Sequence, residues 1–316
     1  MFCITLESRD PYFNLAVEEV LLKNSPEEYL MMYINSPSLI IGKHQAAHRE
    51  INTRFAIENS IPVIRRISGG GTVYHDMGNL NFTFIRKSKP GEQIDFRKNT
   101  APVIDFLSSL DIEAAFDGKT EIKVDGLKIS GNAEHIHRDR VLHHGTLLFS
   151  TSLDVLRKSL REDVSCYISR AVVSNRSSVT NLNARLTGFR DIYQFSTEMM
   201  HYFLRNLPET VTYELSPGEC KEAELLADSK YKSWNWNWAY GPEYKFVNMF
   251  EFKNRQITCR LFVSSGIISE CVIEGSSELA IAAEKLIGCP HMVEDLKKVF
   301  EEENISFPDE MVFNFF

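Results

Sequence analysis

The sequence predicts an α+β protein: a large domain over residues 1–243 followed by a small α+β domain over residues 244–316. Strand-like runs come in consecutive groups with helices between them, not in the regular βαβ alternation of a wound parallel sheet. The tail changes character, with three short strands and then two helices. Gly241-Pro242 punctuates the chain just before that change.

Asp10-Pro11 starts a helix that carries Leu15, Val17, Val20, Leu21 and Leu22 inward, with Glu18, Glu19 and Lys23 outward. YLMMYI (29–34) and SLIIGK (38–43) form two strands with a Ser/Pro turn between them. Asn52 caps a short helix over Thr53–Asn59. Residues 62–66 form a strand running into the glycines at 69–71, and NLNFTFI (79–85) alternates as a half-buried strand should. Thr100 with Pro102 opens a helix through Leu110. Strand-like runs follow near 112–116, 121–125, 127–134 and 141–149, then helices near 152–161, 189–206 and 218–229. Trp234, Trp236 and Trp238 fit a structural aromatic strand beside the domain junction. In the tail, strands near 245–253, 256–263 and 267–274 precede helices at 276–287 and 291–303, which Gly288 and Pro290 separate.

With 316 residues the chain can bury a sizeable core, and its apolar and charged shares are those of a globular protein. Acidic residues outnumber basic ones, 43 to 35, which argues against a nucleic-acid or membrane-surface binder with a dominant basic face. No stretch approaches the ~20 apolar residues of a membrane span. The six cysteines are scattered with no CxxC pair, and the first residues lack a signal or transit pattern, so a cytoplasmic location is expected.

The most informative segment is RRISGGGTVYHDMGNLNFTF, 65–84. Three glycines between strands allow positive φ and close approach of a ligand to the backbone, and successive free N–H groups there make an anion nest. Arg65 and Arg66 stand just upstream, and arginine suits forked contacts to phosphate or carboxylate. The loop is not a P-loop, because no Gly-Lys-Ser/Thr follows, and Tyr74 occupies the third glycine position of a dinucleotide fingerprint. Alone, the triplet fits a tight structural turn equally well.

The second segment is GLKISGNAEHIHRDRVLHHGTLLFS, 126–150. On a strand, Leu127 and Ile129 face the core while Lys128 and Ser130 face a cleft. That position suits a fixed charge neutralising anionic oxygens, although an ordinary solvent-facing lysine explains it too. His135, His137, His143 and His144 invite a metal reading, but no nearby cysteine or spaced carboxylate completes a zinc set, so a solvated hairpin is the better expectation. Cys166 has no local partner that would activate a thiolate.

Together these two segments resemble the lipoate–protein ligase A family. RRISGGGTVYHDMGN is similar to that family's RR-x-SGGG-[AT]-V-[FY]-HD-x-GN signature, and LKISGNA followed by LHHGTLLFS to its KxSG-x-A…HHGTLL signature. NLAVEE (14–19), IIGKHQ (40–45), SVTNL (178–182), SWNWNWAYG (233–241) and LIGCPHMVEDL (286–296) extend the likeness over nearly the whole chain. The resemblance implies a large mixed-sheet catalytic domain of the biotin/lipoate ligase type and a two-step reaction. Lipoate and ATP give lipoyl-AMP and pyrophosphate, and a carrier lysine then takes the lipoyl group. By position it implies that Arg66, Gly71, Thr72, Val73, Tyr74 and Lys128 contact ATP. It further implies that Lys128, Gly70, Gly71, His75 and His144 line the lipoate pocket, with Lys128 the catalytic residue. The carriers it implies are lipoyl domains of 2-oxoacid dehydrogenase complexes or the glycine-cleavage H protein, with a monomeric enzyme and no nucleic acid or membrane.

Two departures bear on function. Gly118-Lys119-Thr120-Glu121 stands where many members have GRND, so a Mg2+ or phosphate role passes to Glu121. Ala46-Ala47-His48 replaces the usual Asn-Pro/Thr-Trp, at the tunnel mouth or acceptor contact. A lipoyltransferase that uses preformed lipoyl-AMP and a non-catalytic lipoate-binding module are the rival readings. An octanoyltransferase acting through a thioester needs a cysteine that neither signature contains.

Overall fold

The computed structural model describes residues 1–89, 95–175, 177–305 and 308–316. In chain order come β1 (Phe2–Thr5), α1 (Pro11–Asn24), β2 (Tyr29–Tyr33), β3 (Ser38–Ile41), α2 (Ala47–Glu50), α3 (Thr53–Glu58), β4 (Val63–Arg65) and β5 (Val73–His75). Then follow β6 (Asn79–Lys87), α4 (Phe96–Ser108), β7 (Ala114–Asp117), β8 (Glu121–Val124), β9 (Leu127–His137), β10 (Arg140–Leu148), α5 (Leu153–Ser159) and β11 (Tyr167–Ile168). The rest is α6 (Ile192–Asn206), β12 (Val211–Thr212), α7 (Pro217–Leu226), β13 (Tyr244–Phe252), β14 (Arg255–Ser264), β15 (Ile267–Glu274), α8 (Ser277–Leu286) and α9 (Val293–Glu302). The α+β class expected from the sequence holds.

The chain divides into two compact units. The first comprises Met1–Lys43, Ile64–Arg157 and Ser174–Ser233, and the second His44–Val63, Lys158–Val173 and Trp234–Phe316. The second unit therefore reaches beyond the 244–316 expected from the sequence. Its early segments belong to it by direct bonding: β11 pairs with β13, Ile51 bridges Leu160, and Arg161 Nε donates to the His48 carbonyl.

The first unit is built on an eight-stranded mixed sheet ordered β12-β1-β2-β6-β10-β9-β8-β7. β1 runs parallel to β2 and β12, and the other pairings are antiparallel. α4 and α6 cover one face through Phe106, Phe195 and Phe203, packed with Phe82 and Phe84 of β6. Burying side chains of this size supplies most of the driving force for such a layer. β3 sits between β4 and β5 in a three-stranded sheet. In the second unit β11-β13-β14-β15 form an antiparallel sheet whose core, with Phe246, Ile257, Leu261 and Ile268, is closed by Leu286 of α8 and Leu296 of α9.

Several local expectations need correction. α1 starts as expected, with Pro11 at its first position and Asp10 accepting from the Tyr12 N–H. Glu18 and Glu19, however, point inward and are buried. Partners make that tolerable: Tyr33, Thr83 and His144 surround Glu18, and the i+4 neighbour Lys23, with the distant Lys230 and Tyr231, surrounds Glu19. α4 begins a turn before Thr100 because Asp95 caps the Lys98 N–H, which leaves Pro102 inside the helix. The tryptophan segment is not a strand: Asn235–Ala239 forms a π-helical turn, closed by the Tyr240 N–H on the Asn235 carbonyl. Tryptophans two apart imitate strand alternation, and the spacing alone cannot tell the two conformations apart.

Candidate active site

A cavity in the first unit is framed by the glycine loop on one side and by β9 and β10 on the other. Arg66, Gly70, Gly71, Thr72, Val73, His75, Glu121, Lys128 and His144 all line it. Tyr74 alone among the expected site residues does not. Val73 and His75 face the cavity, so strand alternation turns Tyr74 away, and it is buried.

The loop is held by Arg66. Burial lowers the guanidinium to about 10, with Glu18 and Tyr33 working the other way, so it keeps its charge at neutral pH. Its Nε donates to Ser68 Oγ at 3.0 Å, Nη1 to the Ile40 carbonyl at 2.9 Å, and Nη2 to the carbonyls of Gly69 and Gly71 at 2.6 and 2.7 Å. A planar fork is suited to such a set. In the same loop the Thr72 N–H donates to Ser174 Oγ at 2.9 Å. Gly70 has φ +86°, and a Cβ there would lie 3.1 Å from Arg66 Nη2. Arg65 lies outside the cavity: it is fully buried, and its Nη1 donates to the carbonyls of Gly42 and Lys43.

Behind the loop lies a buried polar hub. Ser68 Oγ is 2.6 Å from His144 Nε2, and His144 Nδ1 is 3.0 Å from Glu18 Oε2. Burial pushes the Glu18 carboxyl up, but the His144 charge and hydrogen bonds from His144, Thr83 and Tyr33 outweigh it and hold it low. Ser68, His144 and Glu18 have the connectivity of a nucleophile–base–acid triad. Ser68 is fully buried and does not line the cavity, so this chain of bonds holds the loop in place. His143 and His144 are buried, against the solvated hairpin expected. Register explains this: they pair with Phe84 and Thr83 of β6 in the middle of the sheet, whereas His135 and His137 lie toward the hairpin end.

On the opposite wall Lys128 Nζ donates to Glu121 Oε1 at 3.0 Å, and Ser177 Oγ donates to the same oxygen at 2.7 Å. Burial raises the Glu121 carboxyl, but Ser177 and Lys128 outweigh it and hold it low. Ile129 packs in the core, as strand alternation requires of Lys128's neighbour. Glu121 is the sole carboxylate in the lining, and no group of three or more His, Cys, Asp or Glu side chains is placed to hold a metal among the described residues. Mg2+ is commonly held by one or two carboxylates together with substrate phosphates, and Glu121 is the lining residue of that type. His75 is buried neutral: burial, then Arg66 and His144, lower it to about 3. Its Nδ1 lies 3.0 Å from Asn35 Nδ2.

Sequence reasoning missed several lining residues, among them Leu15, Tyr33, Ile40, Asn81 and Asn132. Asn132 had a signal: it belongs to the LKISGNA segment beside Lys128. Gly145 is forced by it, since a Cβ there would stand 2.2 Å from Asn132 Oδ1 and 2.4 Å from Phe82 Cζ.

An arginine-braced glycine loop facing a lysine across one cavity of a mixed sheet defines a group-activating enzyme that handles anions. Residues 10–204 match the lipoyl protein ligase A/B catalytic domain family, and the chain belongs to it. A lipoate-protein ligase of Bacillus subtilis is 37% identical over 273 residues, which are 84% of this chain and 82% of that one. A lipoate-protein ligase A solved with bound ATP superposes with a TM-score of 0.61 at 27% identity, covering 75% of this chain and 97% of its own. A protein from T. acidophilum solved with bound lipoic acid gives 0.63 at 26% identity, covering 75% and 98%. The chain is a ligase of this family.

Proposed function

We propose that this ligase joins lipoate to a carrier lysine in two steps at the cavity of the first unit, with the second unit as accessory. The convergence of Lys128, the Arg66-held glycine loop and His75 on one cavity carries the reading. In the first step a lipoate carboxylate oxygen attacks the α-phosphorus of ATP, the bond to the bridging oxygen breaks, and pyrophosphate leaves. In the second the ε-amine of the carrier lysine attacks the acyl carbonyl, an amide forms, AMP leaves, and the amine sheds a proton to solvent.

Neither step needs a protein nucleophile, so positioning and charge neutralisation account for the rate. Lys128 exchanges its Glu121 contact for the oxygens of lipoate and the α-phosphate. Loop N–H groups at Gly70 and Gly71 take the nucleotide, with Thr72 anchored on Ser174 and Arg66 holding the loop in shape rather than touching phosphate with its engaged donors. His144 supports the loop from behind through Ser68. Magnesium bound to the triphosphate would offset part of its charge. No cysteine lines the cavity among the described residues, which disfavours thioester chemistry.

The carriers we propose are lipoyl domains of 2-oxoacid dehydrogenase complexes or the glycine-cleavage H protein, met by a monomeric enzyme in the cytoplasm. The test incubates the purified chain with ATP, magnesium, lipoate and an apo lipoyl domain. The expected results are a lipoyl mass increase on the carrier and stoichiometric pyrophosphate. Transfer from synthetic lipoyl-AMP without pyrophosphate release from ATP would overturn the activation step. No modification from either donor would overturn the reading as a whole.

A further inference from the structure

His75 occupies an unusual place in the site. It is buried and lines the cavity, and its Nε2 has no hydrogen-bond partner among the described residues. An unpaired buried ring nitrogen costs free energy, so a ligand or water partner is called for. Whether that nitrogen offers a proton or a lone pair depends on the tautomer, and the tautomer depends on what faces Nδ1.

Three fixed links decide it. Asn14 Nδ2 lies 2.9 Å from the Ser8 carbonyl and 2.8 Å from Asn35 Oδ1. A backbone carbonyl can only accept, so the Asn14 atom facing it must be the amide nitrogen. That nitrogen can only donate, so the Asn35 atom it meets must be the oxygen. The remaining end of the Asn35 amide, Nδ2, faces His75 Nδ1 at 3.0 Å and donates to it. Nδ1 is therefore the lone-pair nitrogen, and in the neutral ring Nε2 carries the proton. Asn14 and Asn35 are fully buried, so water does not compete for either amide.

We propose that Asn35, oriented by Asn14 and the Ser8 carbonyl, is a positioning residue that fixes His75 as the Nε2–H tautomer, so that the ring presents a hydrogen-bond donor to the carboxylate end of the substrate. The proposal rests on the lipoate-activating reading of this cavity and adds the protonation pattern of one ring to it. A carboxylate or acyl oxygen accepts from Nε2–H.

The test combines a spectroscopic readout with kinetics. Nitrogen-15 NMR on histidine-labelled protein, assigned through the loss of one ring in His75→Gln, should show His75 protonated at Nε2 and bare at Nδ1. Asn35→Asp keeps the shape but offers Nδ1 an acceptor, so Nδ1 should gain a proton. In Asn35→Leu the KM for lipoate should rise about ten- to hundredfold, with the KM for ATP changed far less. In a His75→Gln background the same leucine substitution should add less than about twofold, because Asn35 acts through His75. Nδ1 protonated in the wild type, or an unchanged ring in Asn35→Asp, overturns the proposal. So does an equal cost of Asn35→Leu in both backgrounds. If the chain does not activate lipoate at all, the functional reading fails, and the ring's protonation pattern still decides the tautomer on its own.

Discussion

Lys128 Nζ and Glu121 Oε1 form an ion pair at 3.0 Å across the mouth of β8 and β9, with Ser177 on the same oxygen. The charge assigned to activation thus rests on a carboxylate that holds it in position. Lys128→Ala should lower pyrophosphate release by about 10²–10³, the usual loss for one charge-stabilising donor. Glu121 keeps its Ser177 bond, so the thermal midpoint should move by no more than about 4 °C. Near-native turnover would remove Lys128 from the mechanism.

Glu121 lines the cavity and pairs with Lys128. Glu121→Gln keeps an acceptor for Lys128 and Ser177 but removes the charge. It should raise the KM for ATP by less than about tenfold and spare kcat far more than Lys128→Ala does. Matched losses in the two variants would instead assign Glu121 a direct part with the nucleotide or its metal.

Arg66 holds the loop through several donors at once. Arg66→Lys retains a charge but not the fork, so the bonds to Ile40, Gly69 and Gly71 cannot all be kept. The expected cost is about 1–3 kcal/mol of stability in urea melts, with a raised KM for ATP. An unchanged urea midpoint together with an unchanged KM counts against the bracing role. Gly70→Ala should act similarly, since φ +86° costs an alanine about 1–2 kcal/mol.

Acid should weaken the fold before carboxylates ordinarily titrate. His75 and His291 are buried neutral, lowered to about 3 and about 4, chiefly by burial. Unfolded, each takes a proton near pH 6.5. Their contribution is complete above that value and is lost as pH falls from about 6.5 toward about 4, at up to about 1.4 kcal/mol per pH unit for each. Glu18, also held low, loses its share later, as pH drops through its depressed folded value. Urea midpoints at pH 7, 6 and 5 should fall in order, and His75→Gln should flatten the trend. A midpoint constant over that range contradicts the neutral burial of both rings.

What was legible in the sequence follows the reach of local rules. Caps announced α1 and α3, and the glycines with Arg66 and Lys128 marked two walls of the cavity. Alternation located β6 and β9 but not their burial, since residues 79–85 of β6 are buried on both faces and Ser130, expected at the cleft, is buried outside the lining. What escaped depends on partners far along the chain. Glu18 looks like an exposed helix residue until Thr83 and His144 are brought to it from 65 and 126 residues away. Asn14 and Asn35 bear polar amides that local periodicity assigns to the surface. The tryptophan turn failed for another reason, because a spacing of two serves a strand and a widened helix alike.

The interleaved chain path of the second unit sets an order of synthesis. Ala46, Tyr167 and Ala171 pack into a core otherwise made by residues from Tyr244 onward. They leave the ribosome long before that core exists, and must wait uncovered until the tail is translated. A chain stopped at 243 should therefore expose these side chains permanently and aggregate, so the tail cannot be trimmed away as an appendage.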